Sequence, residues 1–234
     1  MKPIPIYLKN EPNRPRPTEP EFYWITGNGV FFCRNHAFFK SDVPAPQPPQ
    51  SLASHQSSCR VCYPQLSVSA LEFIVGFFDR VYQIHGSESI VLVYWDLIRK
   101  RYKLHVPKQE ATVWESYSGY RTAMDVTYEL PTAMPRDHLL VADIHCHCDF
   151  GAYTSFTDAK DEEYRDGVHA VVGRIDQDQP DFHAQISIDG SRFEMGFDQL
   201  FKGFHKRRIG VPNEWFDQLT VKVNRPQTWS WSAK

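Results

Sequence analysis

No stretch of the 234-residue chain stays apolar for the ~18 residues that a membrane-crossing helix needs. The longest run, around residues 71–78, is interrupted by Glu72 and Gly76. The opening residues Met1-Lys2-Pro3-Ile4-Pro5 carry none of the apolar character of a signal peptide. An excess of one charge is also missing: 26 Lys and Arg face 28 Asp and Glu, for a formal charge of −2. That balance excludes a basic face over the whole chain and, with it, bulk affinity for nucleic acid or anionic membrane. Cysteines are few and odd in number, five, which argues against a disulfide scaffold. No internal repeat is visible. These absences lead to the expectation of a soluble, cytoplasmic, globular protein.

What is present suffices for a core, since 41% of residues are hydrophobic and 14% aromatic. At ~100–200 residues per domain, the length fits one main domain with extensions, or two small domains. We divide it into an N-terminal extension (1–66), a main domain (67–197) and a C-terminal extension (198–234). Residues 1–20 read as extended surface chain. Residues 21–40 read as two strands around the Gly27-Asn28-Gly29 turn. The Pro, Gln and Ser-rich stretch 44–58 reads as a linker. Residues 67–84 hold the clearest helix, with Leu71, Ile74, Val75, Phe78 and Val81 at helical spacing and Ser67 or Ser69 to cap it. The apolar run SIVLVYWD (89–96) suits a strand buried on both faces. Further strands are predicted at 101–106, 139–143, 168–174, 182–188 and 192–196. Interleaved strands and helices give an α/β or α+β class around one sheet.

The chemistry concentrates in ADIHCHCDFGAYTSFTD, residues 142–158. Residues i and i+2 of a strand share a face, so His145 and His147 can aim both imidazoles at one point. Asp158 follows after a loop that can fold back. Two His and one carboxylate suit zinc, and three protein ligands leave a fourth position for water, whose pKa the metal lowers towards ~7. Taken singly, the pieces have plain readings: two strand histidines as polar surface, and Ser155-x-x-Asp158 as a helix cap with a first-turn acid. The cysteines alternate with the histidines. Cys146 is expected in the core, and Cys148 on the metal-facing side if the strand continues.

His145-x-His147-x7-Ser155-x-x-Asp158 resembles the JAMM motif of the JAB/MPN zinc metalloproteases, a family that includes deubiquitinating isopeptidases. The resemblance covers about residues 67–195 and implies a three-layer α/β fold, a central mixed sheet flanked by helices. It further implies that His145, His147 and Asp158 hold zinc, and that Ser155 hydrogen-bonds the tetrahedral intermediate. The family also has an upstream glutamate, and Glu88 sits at the matching place in HGSESIVLVYW (85–95). Its implied role is general base, passing a proton from the attacking water to the leaving amine; the plain alternative is a solvated junction residue. Glu72 and Glu115 are weaker candidates. The family's usual proline after the second histidine is Cys148 here. The style of the Glu88 strand resembles bacterial members encoded beside ubiquitin-like proteins, such as the peptidase of Bil-type conjugation operons of antiphage defence and the PRTRC system protein A group. The implied partners are a ubiquitin-like protein as substrate and its activating and conjugating enzymes.

Cys33-x-x-His36 and Cys59-x-x-Cys62 supply a Cys3His set suited to a second, structural zinc that would close the Pro/Ser-rich loop, with His55 as a substitute ligand. The alternative leaves Cys33 as a buried strand residue and Cys59 and Cys62 as free thiols. His105, His138, His169, His183 and His205 show no ligand spacing. Lys206-Arg207-Arg208 reads as a solvated turn or a protein contact. Two rival functions stand beside the protease: a catalytically silent MPN-like scaffold, and a zinc deaminase. The latter needs His-x-Glu before its Pro-Cys-x-x-Cys, which this chain does not have.

Overall fold

The computed structural model describes residues 3–49, 52–131, 135–155, 165–208 and 210–226. The chain separates into two compact units, Met1–Ser57 and Ser58–Lys234. Both contribute to a mixed α/β protein with several sheets and few helices.

The first unit is a four-stranded sheet ordered β1 (Ile6–Leu8), β2 (Glu21–Thr26), β3 (Gly29–Asn35) and β4 (Lys40–Pro44). The expected hairpin is β2–β3, with Thr26 opposite Gly29 across the turn. β1 comes from the segment read as extended surface chain, and β4 lies between the predicted hairpin and the predicted linker, sharing one residue with each. Phe22, Trp24 and Cys33 form the unit's own core, with Tyr7 and Phe31 against it.

The second unit opens with α1 (Val68–His85), the helix expected from periodicity. Ser67 accepts a hydrogen bond from the Ala70 amide, and Gly86 ends the helix in the left-handed region at φ 65°. The apolar face of α1 buries Leu71, Ile74, Val75, Phe78 and Val81. It packs in one cluster with Val91, Val93, Ile144, Cys146, Ala170 and Val172. Fully burying such a side chain contributes roughly 1.5–3 kcal/mol against chain entropy.

Those partners lie on β5 (Ile90–Asp96), β9 (His138–Cys146) and β10 (Gly167–Gly173). With β6 (Arg101–His105), β11 (Asp181–Ile188) and β12 (Ser191–Glu194) they form a mixed sheet ordered β12-β11-β10-β9-β5-β6. Only β9 and β10 run parallel within it. A parallel pair needs a crossover, and this one leaves β9 just after His145, the first residue of the motif.

The single sheet expected from sequence needs correction. Strands β7 (Gln109–Glu115), β8 (Arg121–Tyr128) and β13 (Leu219–Asn224) form a separate sheet, β13-β7-β8. The C-terminal stretch is likewise built into this unit. Two short helices, α2 (Phe197–Leu200) and α3 (Asn213–Phe216), bring Phe201 and Trp215 to the main core. Within the basic run 206–208, Lys206 is exposed as expected of a solvated turn, but Arg208 pairs at 2.9 Å with the buried Glu72, and Arg207 donates to the Ile175 carbonyl at 2.8 Å.

Candidate metal centre

The two faces of the six-stranded sheet differ in character. One holds α1. The other presents Ile90, Leu92 and Tyr94 of β5, and the register extends this face to β9. Ile90 lies directly opposite His145, and Leu92 opposite Asp143. A register shift between Val93 and Tyr94 carries Leu140 onto this face beside Tyr94, while Val141 and Ala142 pack with the core on the α1 side.

His145 and His147 are both only 6% exposed. Their Nε2 atoms lie 3.1 Å apart. Two nitrogens bound to one tetrahedral zinc at ~2.0–2.1 Å would be about 3.3 Å apart, so the imidazole pair fits one metal ion with little adjustment. Tyr153 meets the His147 ring edge-on, centroids 4.9 Å apart. The His147 amide donates to the Val172 carbonyl at 2.9 Å, and the Phe150 amide returns to the His147 carbonyl at 2.9 Å in a tight turn.

Glu88 precedes β5. The Cys146 amide donates to the Ser89 carbonyl at 3.1 Å, so Glu88 stands one residue before this backbone bond between the two segments and His147 one residue after it. Glu88 is half-buried, and its charge is felt at the neighbouring Cys148 thiol. The start of β5 is held from its other edge by the buried Gln109. Its Oε1 accepts from the Ile90 amide at 2.8 Å, and its Nε2 donates to the Ile90 carbonyl at 3.1 Å. Gln109 thus stands in for a strand neighbour and steadies the backbone that carries Glu88.

Cys148 is a correction. It is fully buried on the α1 side with Cys146, their sulfurs 3.9 Å apart. Residues 146 and 148 share a strand parity opposite to that of 145 and 147. Cys148 itself adopts φ 53°, after β9 has ended. Contact with Cys146, followed by burial, pushes its thiol pKa up, which keeps it protonated and unreactive.

Ser155 is half-buried and follows Thr154, whose Oγ1 lies 3.1 Å from His183 Nε2. Asp158 lies outside the described residues. Among those that are described, no group of three or more His, Cys, Asp or Glu side chains forms a metal-sized cluster.

The rival glutamates are engaged elsewhere. Glu72 holds Arg208, and Glu115 is bound by Arg121 and Arg225, each at 2.8 Å. Of the Cys3His set, Cys33 and His36 belong to the first unit and Cys59 and Cys62 to the second. Cys33 is fully buried, and burial, reinforced by Asp42, pushes its pKa to about 12. His36 stacks on Phe39 at 4.8 Å. Cys59 is half-buried and Cys62 exposed.

Sequence reasoning passed over two buried groups, Asp143 and His169, and the half-buried Arg165 that meets them. Asp143 is 5% exposed and two residues before His145, a period-2 relation that could have revealed it. It pairs with Arg165 and accepts from His169 Nδ1 at 2.8 Å. No local pattern announces Arg165 or His169, because their meeting with Asp143 depends on the β9–β10 pairing. Comparison with protein-family models and with curated proteins finds no match for the chain.

Proposed function

We propose that the protein is a zinc-dependent isopeptidase of the JAMM type, acting on a ubiquitin-like protein by removing it from targets or trimming its precursor. The observation that carries this reading is the pair of buried imidazoles with Nε2 atoms 3.1 Å apart, and the position of Glu88 one residue before the Cys146–Ser89 backbone bond supports it. His145, His147 and Asp158 would hold the metal. When bound, zinc supplies a Lewis acid and a water of lowered pKa.

The remaining work falls to the chain. Glu88 takes a proton from the attacking water and delivers it to the departing amine, which leaves poorly unless protonated. Ser155 donates to the oxyanion as negative charge develops there. The substrate tail lies extended beside a sheet edge, its backbone satisfied by strand-like hydrogen bonds. The resemblance of the Glu88 strand to bacterial members encoded beside ubiquitin-like proteins favours such a modifier as substrate, with its conjugation enzymes as partners.

The test is cleavage of a panel of ubiquitin-like proteins carrying C-terminal extensions. Wild type should cleave at least one, and a chelator should stop it. Glu88→Gln should retain zinc while losing ~10²–10⁴-fold in rate. Cleavage by Glu88→Gln at the wild-type rate would refute the assigned base. Retained binding of a ubiquitin-like protein with no cleavage by wild type would favour the silent scaffold.

A further inference from the structure

The α1 face of the six-stranded sheet is left partly uncovered at its centre. Ala142 and Val168 pack towards the core from β9 and β10, the two innermost strands, yet both are only half-buried. With Val93 and Ile186 they make a row of direct register partners across β5, β9, β10 and β11: Val93 opposite Ala142, Ala142 opposite Val168, and Val168 opposite Ile186. The row lines a cavity of about 410 Å³. Residues 59–64, on the chain leading into α1, line it as well, as do Leu200 and Phe201 at the end of α2. That leading chain is anchored. The Tyr102 hydroxyl donates to the Pro64 carbonyl, the Tyr63 ring lies 5.2 Å from that of Trp95, and the Leu66 amide donates to the Leu200 carbonyl at 2.8 Å.

Packed interiors leave few voids larger than a water molecule, and an apolar void stays dry and takes up apolar molecules instead. The shape of this one narrows the occupant. Three inter-strand spacings of ~4.8 Å make the row ~14 Å long, so the volume corresponds to a section of roughly 5 Å by 5 Å. That section admits a single chain of carbons, which touch their neighbours at ~3.5–4 Å. It is too narrow for a helix, ~10 Å across. At ~30 Å³ for a group the size of a water or a methylene, roughly a dozen carbons fill it. Only two residues of the lining are charged, Arg60 and Asp166, and both are exposed, which puts them at the mouth. Asp166 turns a carboxylate oxygen to the Asp189 amide at 3.1 Å. Arg60 is therefore the charge offered to a ligand's head, and a guanidinium matches a carboxylate.

We propose that this cavity binds a fatty carboxylate of roughly a dozen carbons, its chain along the row from Val93 to Ile186 and its head at Arg60. The site is separate from the metal centre, since the histidines stand on the opposite face of the sheet, and it does not depend on the zinc reading.

The test is calorimetric titration of the full chain with straight-chain fatty acids of increasing length, below their micelle concentrations. Affinity should rise about fourfold per methylene up to roughly a dozen carbons and then level off. Ala142→Leu fills the middle of the row and should weaken binding tenfold or more. Its Tm should be unchanged or higher, because the added carbons enter empty space. A lower Tm would show that space to be packed already and would overturn the cavity. Arg60→Ala, at an exposed position, should weaken the acid severalfold and leave the fatty alcohol of equal length unchanged. No binding at any length, affinity that keeps climbing with length as adsorption to a surface would, or equal affinities for acid and alcohol in the wild type would each overturn the proposal. So would an Ala142→Leu protein that binds as the wild type does.

Discussion

Gly173 ends β10 beneath the turn that follows His147, and replacing it with alanine should disturb that turn. A Cβ there would fall 2.2 Å from the Ala152 nitrogen, 2.3 Å from the Gly151 carbonyl carbon and 2.6 Å from the Phe150 oxygen. All three are backbone atoms, so no rotamer change relieves the clash. Non-bonded contact needs about 3.5 Å, so residues 150–152 must withdraw by roughly 1 Å. The withdrawal stretches the Arg174 amide bond to the Phe150 carbonyl, 2.6 Å, and the Ile175 amide bond to Cys148, 2.7 Å. Overpacking of this kind costs ~1–3 kcal/mol, and for a domain of this size each kcal/mol lowers Tm by roughly 2–4 °C. The displaced chain leads directly to Tyr153, Thr154 and Ser155. Gly173→Ala should therefore fold, melt several degrees lower and bind zinc more weakly, as read by thermal unfolding and chelator competition. Wild-type Tm together with wild-type zinc affinity would refute the reasoning.

Cys148→Pro would restore the residue usual in the resembling family, yet Cys148 holds φ 53° and proline is fixed near about −65°. We expect a loss of more than ~1 kcal/mol in denaturant unfolding, and an unchanged midpoint would contradict the turn geometry. Hydrogen bonds from Arg121, and then from Arg225, hold the Glu115 carboxyl below its ordinary range. A lowered folded-state pKa contributes stability above the unfolded value of about 4.3 and loses it as pH falls through the folded value. Glu115→Gln should flatten the acid limb of the stability profile below about pH 4, and an unaltered limb would count against the pairing. In chelator-treated protein, Cys62 and then Cys59 should react with a thiol reagent, and Cys33, Cys146 and Cys148 only on unfolding. Protection of Cys59 and Cys62 by added zinc would identify them as ligands, and Cys33 reacting as fast as Cys62 would contradict its burial.

Local signals carried the main elements. The 3.6-residue period, Ser67 and Gly86 define α1, and the unbroken apolar run defines β5, every residue of which is buried. The histidines were legible because a strand alternates faces, and the same alternation, misapplied, put Cys148 on the wrong side. The separate sheet was not legible. β13 pairs with β7 across more than 100 residues of chain, Leu219 against Gln109, and nothing local encodes that partner. Gln109 looks like a surface residue in sequence, yet it is 3% exposed because its amide satisfies both backbone groups of Ile90. The run 206–208 misled for the same reason: its partners, Glu72 and the Ile175 carbonyl, come from distant parts of the chain.

The most direct measurement is zinc per chain, by elemental analysis of wild type and His147→Ala purified without chelators. The expected result is the loss of one equivalent on substitution, with any zinc held by Cys33, His36, Cys59 and Cys62 retained. Equal zinc in the two proteins, or none in wild type, would contradict a metal centre at His145 and His147.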